Sequence, residues 1–503
     1  MLKGRYVMLK VGFFCPGYES LGIECLSASL RQHGFQTKLF FDPILFSESN
    51  FLDQAYLAQA CSFRTKILED LKAYAPDIVC FSVISDNYQW ACVWARDVKA
   101  VTGARVVFGG IHPTSVPEKV ILEEHVDYIC VGEGDEALVE LAQAIVAGGN
   151  DIGIRNIWKK QGVDVFRNAV RPLISDLDKL PFPDKDLFHE AYPVFRDGYL
   201  TMTSRGCPYA CTYCCNNVYQ KLYEKQGSFI RRRSIGHVMA ELEQARERYA
   251  PRYIAFVDDC FNHHNGWLLS FLKEYQRKVA LPFSCYIFPD MVDESQVRAL
   301  KDAGCFKVQM GVQVISQEKR KRILGRSSSQ ENIACAIDLF RRNNIYVVCD
   351  AIFGFPDETE AELAELARFY MDHPPDHCEN FWLRYYPGTE ITRWALAEGH
   401  IDKERYAAIE SGAQKFGLCK RPEQPVSTTF AQQIRMLLML YPFLSYSMKK
   451  WWIERTRYRR IPVFSSMLMY VFVRLLHHPP FDLNTDRTWV RYKYFLKKRF
   501  LGL

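Results

Sequence analysis

The stretch Ser204-Arg-Gly-Cys207-Pro-Tyr-Ala-Cys211-Thr-Tyr213-Cys214-Cys215 decides how this sequence is read. It follows the apolar run Leu200–Ser204, which reads as a strand, and it precedes a series of strand-and-helix units. Three cysteines at spacings of four and three residues put three thiolates on one loop. They can hold three corners of a four-iron cubane and leave the fourth iron without a protein ligand. An open iron is where an enzyme holds a substrate or cofactor. Structural zinc would want four ligands, usually as two separated pairs, and the adjacent Cys214 and Cys215 cannot both ligate one ion. Cys215 reads as packing.

Outward from this loop, strand-like runs recur at Tyr253–Val257, Phe283–Phe288, Phe306–Val312, Tyr346–Ile352 and Phe381–Tyr386. Helix-length segments separate them: Ile235–Tyr249, Trp267–Lys278, Glu294–Ala303, Ser329–Asn343 and Glu360–His373. Six βα units over residues 191–400 predict a partial (βα)6 TIM-like barrel, with chemistry at the carboxyl ends of its strands. Upstream, residues 1–150 alternate Val-, Ile- and Phe-rich runs (Val11–Phe14, Thr37–Phe40, Ile78–Val83, Arg105–Gly109, Asp127–Val131) with helices such as Leu21–His33 and Tyr88–Val101. This predicts an α/β, Rossmann-like, doubly wound domain on a parallel sheet covered on both faces. Ligands on such sheets sit beyond the carboxyl ends of the strands, where Cys15–Tyr18, Asp42, Ser85–Tyr88, Gly110–Pro113 and Gly132–Asp135 would form the rim. Residues 151–190 read as a linker, with a short hairpin at Ile157–Phe166 and a helix-forbidding Leu180-Pro-Phe-Pro-Asp184. Residues 401–503 lose the rhythm and read as a helical, basic and aromatic appendage.

At 503 residues, two large domains plus an appendage is the natural division. Half the residues are apolar and a quarter charged, as in a globular chain. The 17 cysteines show no disulfide-framework spacing, and the opening MLKGRYVMLKVGFF has no cleavage site after an apolar core, so the expected setting is a reducing cytoplasm. The net charge of +6 is uneven: Lys449–Leu503 holds thirteen Lys and Arg against Glu454, Asp482 and Asp486. The positive excess is thus local, which argues against a whole-protein nucleic-acid binder.

The CxxxCxxC arrangement, with Tyr213 just before its last cysteine, resembles the radical S-adenosylmethionine (SAM) superfamily. The resemblance implies a [4Fe–4S] cluster on Cys207, Cys211 and Cys214 whose open iron chelates SAM, and reductive cleavage to a 5′-deoxyadenosyl radical. It places Tyr213 near the adenine. Further likenesses follow in order: Val257-Asp258-Asp259-Cys-Phe261 resembles the acidic turn of the cobalamin-binding branch. Ile352-Phe-Gly354-Phe-Pro356-Asp-Glu358-Thr359 is similar to its G-x-P-x-E-T turn, and Tyr386-Pro-Gly-Thr389 to its PGT turn. Arg326 falls where the family often carries an arginine. Gln313 stands where many relatives have Glu, which removes a charge. Asp258, Gln313, Gly354 and Glu358 are the implied residues around SAM and substrate. Taken singly, each is also readable as an ordinary turn or helix cap.

The N-terminal segment resembles the B12-binding domain of the same branch, through Pro76-Asp77-Ile-Val-Cys-Phe-Ser82, Gly109-Gly110-Ile-His112-Pro-Thr114 and Gly132-Glu133-Gly134-Asp135-Glu136. The resemblance implies cobalamin, with Ser82, Ser85, Gly110, His112, Glu133 and Gly134 on its side of the protein. Glycines at 109 and 110 allow a bulky ligand close to the backbone. His112 reads as support for its loop, and with no DxHxxG motif the cobalamin would be base-off, Ser85–Tyr88 facing it. The activity implied is cobalamin-dependent methylation of an unactivated carbon, and the alternative is methyl-free cyclisation or oxidation, similar to the anaerobic porphyrin ester cyclases. A non-catalytic B12- or lipid-binding protein is the third reading.

The appendage has apolar stretches at Met436–Leu444 and Ile461–Val473, too short to span a bilayer, and the mixed segment Lys449–Arg460. Three readings stand: peripheral association of 436–503 with the inner membrane face, nucleic-acid contact, or a helical lid with a solvated basic face. Nucleic acid is the least expected. A hydrophobic small-molecule or lipid substrate and a reductase, flavodoxin or ferredoxin electron donor complete the expected partners.

Overall fold

The computed structural model describes residues 9–48, 52–413, 428–456 and 485–501. Among these, the first sheet has seven strands in the order Gln36–Asp42, Lys10–Pro16, Ile78–Ser82, Arg105–Gly109, Tyr128–Cys130, Ile157–Gln161 and Asp164–Phe166. The first five are parallel and the last two antiparallel. The hairpin Ile157–Phe166 therefore extends this sheet. Both faces are buried. Val11, Phe13 and Cys15 point to one hydrophobic layer and Phe14 to the other, which is why the strand reads as a continuous apolar run. The strand order reverses between Lys10–Pro16 and Ile78–Ser82, the switch point at which such sheets bind ligands.

The second sheet is wholly parallel and in chain order: Gly198–Thr201, Tyr253–Phe256, Phe283–Ile287, Cys305–Gln313, Tyr346–Phe353 and His377–Trp382. This is the six-unit partial barrel. Its helices begin where a short polar side chain caps the first turn: Ser234 accepts from the His237 N–H, Asp293 from that of Gln296 and Ser329 from that of Asn332. Thr359 and Glu362 form a reciprocal capping box. The core lies between strands and helices, around Val308, Met310, Val347, Cys349 and Ile337.

The sixth strand departs from expectation. Phe381–Tyr386 was the apolar run, whereas the paired strand is His377–Trp382. The cause is a polar barrel interior. Gln309 donates to Asp350 across the neighbouring strands at 2.8 Å, and Glu379 is the register partner of Asp350. A strand facing such neighbours carries His and Glu and so resembles a loop.

The helix Thr428–Leu440 sets Phe430, Ile434, Leu437 and Leu438 into the barrel core. Much of Met436–Leu444 is thus consumed in packing. The helix Thr485–Leu501 packs on the first domain: Phe495 stacks on Phe41 at 5.5 Å, and the Tyr492 hydroxyl accepts from the Phe46 N–H at 3.0 Å. Trp451 is exposed beside Arg455. No helix of the described residues is long and apolar enough to cross a membrane. Ile461–Val473 and the end of the Lys449–Arg460 segment lie outside the described residues.

Between the domains, Lys185 is fully buried and donates to Glu19 at 3.1 Å and Glu24 at 2.5 Å, while His189 also lies 3.1 Å from Glu19. Next to it, Asp184 accepts from Ser27 and Arg31. Breaking a buried pair leaves a charge without water or counter-ion, at a cost of ~3–5 kcal/mol. Lys185→Met is expected to lower stability by that order in chemical denaturation. A loss below about 1 kcal/mol would mean that the carboxylates find another partner.

Candidate functional site

The cysteine loop is held by the protein's own contacts. It leaves the strand Gly198–Thr201 past Thr203 and Ser204, both held by Asp258. This carboxylate accepts from the Thr203 N–H at 3.0 Å, the Thr203 hydroxyl at 2.7 Å and the Ser204 hydroxyl at 2.6 Å. Gly206 then takes φ +90°, and a Cβ there would stand 2.2 Å from the Phe229 carbonyl oxygen. Only glycine fits that turn. Beyond it, Gln220 donates to the carbonyls of Cys207 and Tyr209 at 3.0 and 3.1 Å. Thr212 donates from its N–H to Leu324 and from its hydroxyl to Ile323, and its own carbonyl accepts from Ile391. Tyr209 stacks on Phe288 at 3.5 Å.

Cys207, Cys211 and Cys214 form no disulfide. Among the described residues no three His, Cys, Asp or Glu side chains converge on a single-ion site. Three soft thiolates on one loop, each for a different iron, is the donor set of a cubane, and a [4Fe–4S] cluster fits it. Cys215 is exposed, not packed.

Beside the loop, Arg326 ties the expected adenine-side Tyr213 to the strand that carries Gln313. It donates to the Tyr213 hydroxyl at 3.1 Å and to the Gly311 carbonyl at 2.9 Å, and lies 4.4 Å over the Phe288 ring. Gln313 sits at a register shift with φ +66°, its Oε1 buried without a hydrogen-bond partner. An orphaned buried acceptor beside a buried arginine is a place for a polar ligand. Glu358 is turned to its own loop, accepting from the Gly354 N–H at 2.8 Å, and burial pushes its carboxyl up to about 8. Asp258, with its donors already in place, is a strap for the cluster loop rather than an open ligand.

On the other side lies a cavity of about 390 Å³. The first domain lines it with Ser82, Gly109, Gly110 and Gly132–Asp135, and the barrel with Ser204–Gly206, Tyr219 and Asp259. Gly110 has φ +99°, and a Cβ there would meet the Val83 carbonyl at 2.7 Å, so the backbone forms this wall bare. The glycine wall and the place at the sheet's switch point fit cobalamin. Ser82, Gly110, Glu133 and Gly134 do line it. Ser85 and His112 are instead bonded to each other, hydroxyl to Nδ1 at 2.9 Å, with the Tyr88 ring tilted against the imidazole at 4.2 Å. His112 is fully buried, and burial lowers its pKa to about 4, so the ring is neutral and supports the loop. Asn87 ties the same segment down by donating to the Ser82 carbonyl, so Ser85–Tyr88 is a packed buttress of the cavity.

Two groups of residues escape a reading of motifs. Arg205 and Arg231 are ion-paired to Asp135 and Glu133 across the domains, and of the acidic pair it is Asp259, not Asp258, that reaches the cavity. Arg205 sits inside the quoted cysteine stretch, and its charge next to Gly206 is the one signal that pointed to it.

The family described as the Radical SAM superfamily matches residues 201–370, and the B12 binding domain matches residues 6–142. The chain is 27% identical over 348 residues to an uncharacterized methyltransferase of Pyrococcus horikoshii, covering 68% of this chain and 74% of that protein. It is 24% identical over 406 residues to the anaerobic magnesium-protoporphyrin IX monomethyl ester cyclase of Cereibacter sphaeroides, covering 75% of this chain and 62% of that one. The solved structure of the radical SAM methyltransferase TsrM from Kitasatospora setae, with cobalamin and a [4Fe–4S] cluster bound, superposes with a TM-score of 0.68. It covers 99% of this chain and all of that one at 16% identity, a likeness of fold.

Gly206→Ala is expected to keep the fold but reduce iron after anaerobic reconstitution from about four atoms per chain to below about one. Full iron loading in this variant would show that the turn is not what sets the thiols.

Proposed function

This chain belongs to the radical SAM enzymes that carry a B12-binding domain, and we propose that it methylates an unactivated carbon of a hydrophobic small molecule. The observation that carries the reading is the shared cavity. One wall is the carboxyl-end rim of the B12-binding sheet, and the other is the segment leading into Cys207. A second cavity of about 230 Å³ opens along the barrel, lined by Leu200, Ala255, Phe195 and Tyr18 together with Lys307, Gln309 and Arg491. It shares Val257 with the first. An apolar substrate in the barrel would thus reach both cofactors.

When bound, the cluster and SAM supply the abstracting radical and cobalamin supplies the methyl group. The chain's own work is placement. Cys207, Cys211 and Cys214 hold the cluster, Asp258 and Gln220 fix their loop, and Arg326 orients Tyr213 toward the SAM side. The Tyr209–Phe288 stack keeps water from the reacting atoms. A flavodoxin, ferredoxin or reductase in the cytoplasm would deliver the electron. The relatedness to the cyclase favours a second reading, methyl-free cyclisation or oxidation of a pigment or lipid.

Protein made without oxygen in cells given hydroxocobalamin is expected to carry iron and near-stoichiometric cobalt and to give a base-off spectrum. Iron without cobalt would sink the methyltransferase reading and favour the second. On turnover, S-adenosylhomocysteine should appear beside 5′-deoxyadenosine; the latter alone also selects the second reading. Cys211→Ala should abolish 5′-deoxyadenosine formation, and a folded variant that still makes it would remove these cysteines from the cluster.

A further inference from the structure

The loop Gly132–Asp135 grips both flanks of the cysteine segment. Upstream, Arg205 stands two residues before Cys207 and donates from both terminal nitrogens to Asp135, at 2.9 and 2.9 Å. Its cross-strand partner Arg231 donates in the same forked way to Glu133, at 3.0 and 2.6 Å. Downstream, the helix Cys215–Leu222 starts directly after Cys214 and ends at Tyr223. The Tyr223 hydroxyl accepts from the Glu133 N–H at 2.7 Å, and a Cβ on Gly132 would stand 2.0 Å from it. Gly132–Asp135 also line the cavity read above as the cobalamin site.

Forked arginine–carboxylate pairs fix orientation as well as distance. A ligand that presses on this loop therefore moves Arg205 and Tyr223, and with them the approach to Cys207 and the helix that leaves Cys214. Filling the cysteine loop acts back along the same contacts. We propose that Asp135 is a positioning residue which, through Arg205, makes the cluster and cobalamin bind cooperatively, each raising the affinity for the other. Such coupling is reciprocal by thermodynamic necessity. The inference rests on the cobalamin reading of the cavity.

Its test is equilibrium titration of the full-length protein with hydroxocobalamin, followed by visible absorption. Two forms are compared, cluster-free and reconstituted with iron and sulfide. The reconstituted form is expected to bind about tenfold more tightly, inside the ~5–150-fold range usual for coupled sites. In Asp135→Asn, which keeps the side chain's size, the ratio should fall to about one while both forms still bind. Tyr223→Phe, which alters no charge, should at least halve the ratio. A merely structural role would weaken both forms alike and leave the ratio unchanged. A wild-type ratio of one, or an unchanged ratio in either variant, overturns the coupling and leaves the cobalamin reading standing. If Asp135→Asn does not fold, Tyr223→Phe alone decides. Wild-type protein that binds no hydroxocobalamin in either form overturns the reading and the inference together.

Discussion

A buried ammonium group ties the segment between the two halves of this molecule to the first half, beside the first strand of the second. Lys185 comes from the segment between the domains, its carboxylates Glu19 and Glu24 from the first loop and helix of the B12-binding sheet, and its ring neighbour Tyr199, 4.9 Å away, from the first barrel strand. Removing such charges from water is expensive, and their mutual attraction compensates only in good geometry. The cluster therefore tolerates little displacement. Because Glu19 follows Gly17 and Tyr18, which wall the barrel cavity, the same anchor sets how the sheet's rim faces the barrel.

The cysteine loop follows a different logic, in which neutral and charged hydrogen bonds from the protein itself hold the backbone. Asp258 takes up the donors at the loop's entry, Gln220 and Thr212 hold its middle, and Gly206 admits the turn. Each bond is worth about 0.5–1.5 kcal/mol net, but together they leave the thiols little conformational freedom to lose when irons bind. The arrangement also divides labour within the acidic pair. Asp258 is consumed by structure, which leaves its exposed neighbour Asp259 to the cavity.

How much of this was legible in the sequence depends on whether a residue's job is local. The strands of both sheets were readable because Val, Ile and Phe in short runs separated by helices mean a buried parallel sheet. The cysteine triad was readable because its spacing is its chemistry. The sixth strand was misplaced because it faces a polar lumen, a property of its neighbours Asp350 and Gln309 rather than of itself. Ser85 and His112 were assigned to the cobalamin side, yet they satisfy each other. A hydroxyl and an imidazole 27 residues apart carry no sign in one dimension that they will meet. Glu133 lines the cavity, and its engagement by Arg231, 98 residues on, was invisible for the same reason.

The helix Thr485–Leu501 covers an aromatic surface formed by Phe41, Phe63 and Tyr192, with Phe495 within 5.7 Å of each ring. The hydrogen bond from Phe46 to Tyr492 joins residues 446 positions apart. During synthesis that surface exists long before its cover does. The first domain must therefore wait, compact but with aromatic rings open to solvent, while the whole barrel is made and folded. A nascent chain in that state is a natural client for chaperones and a hazard for self-association, and its completion is a closing of the chain upon its own beginning.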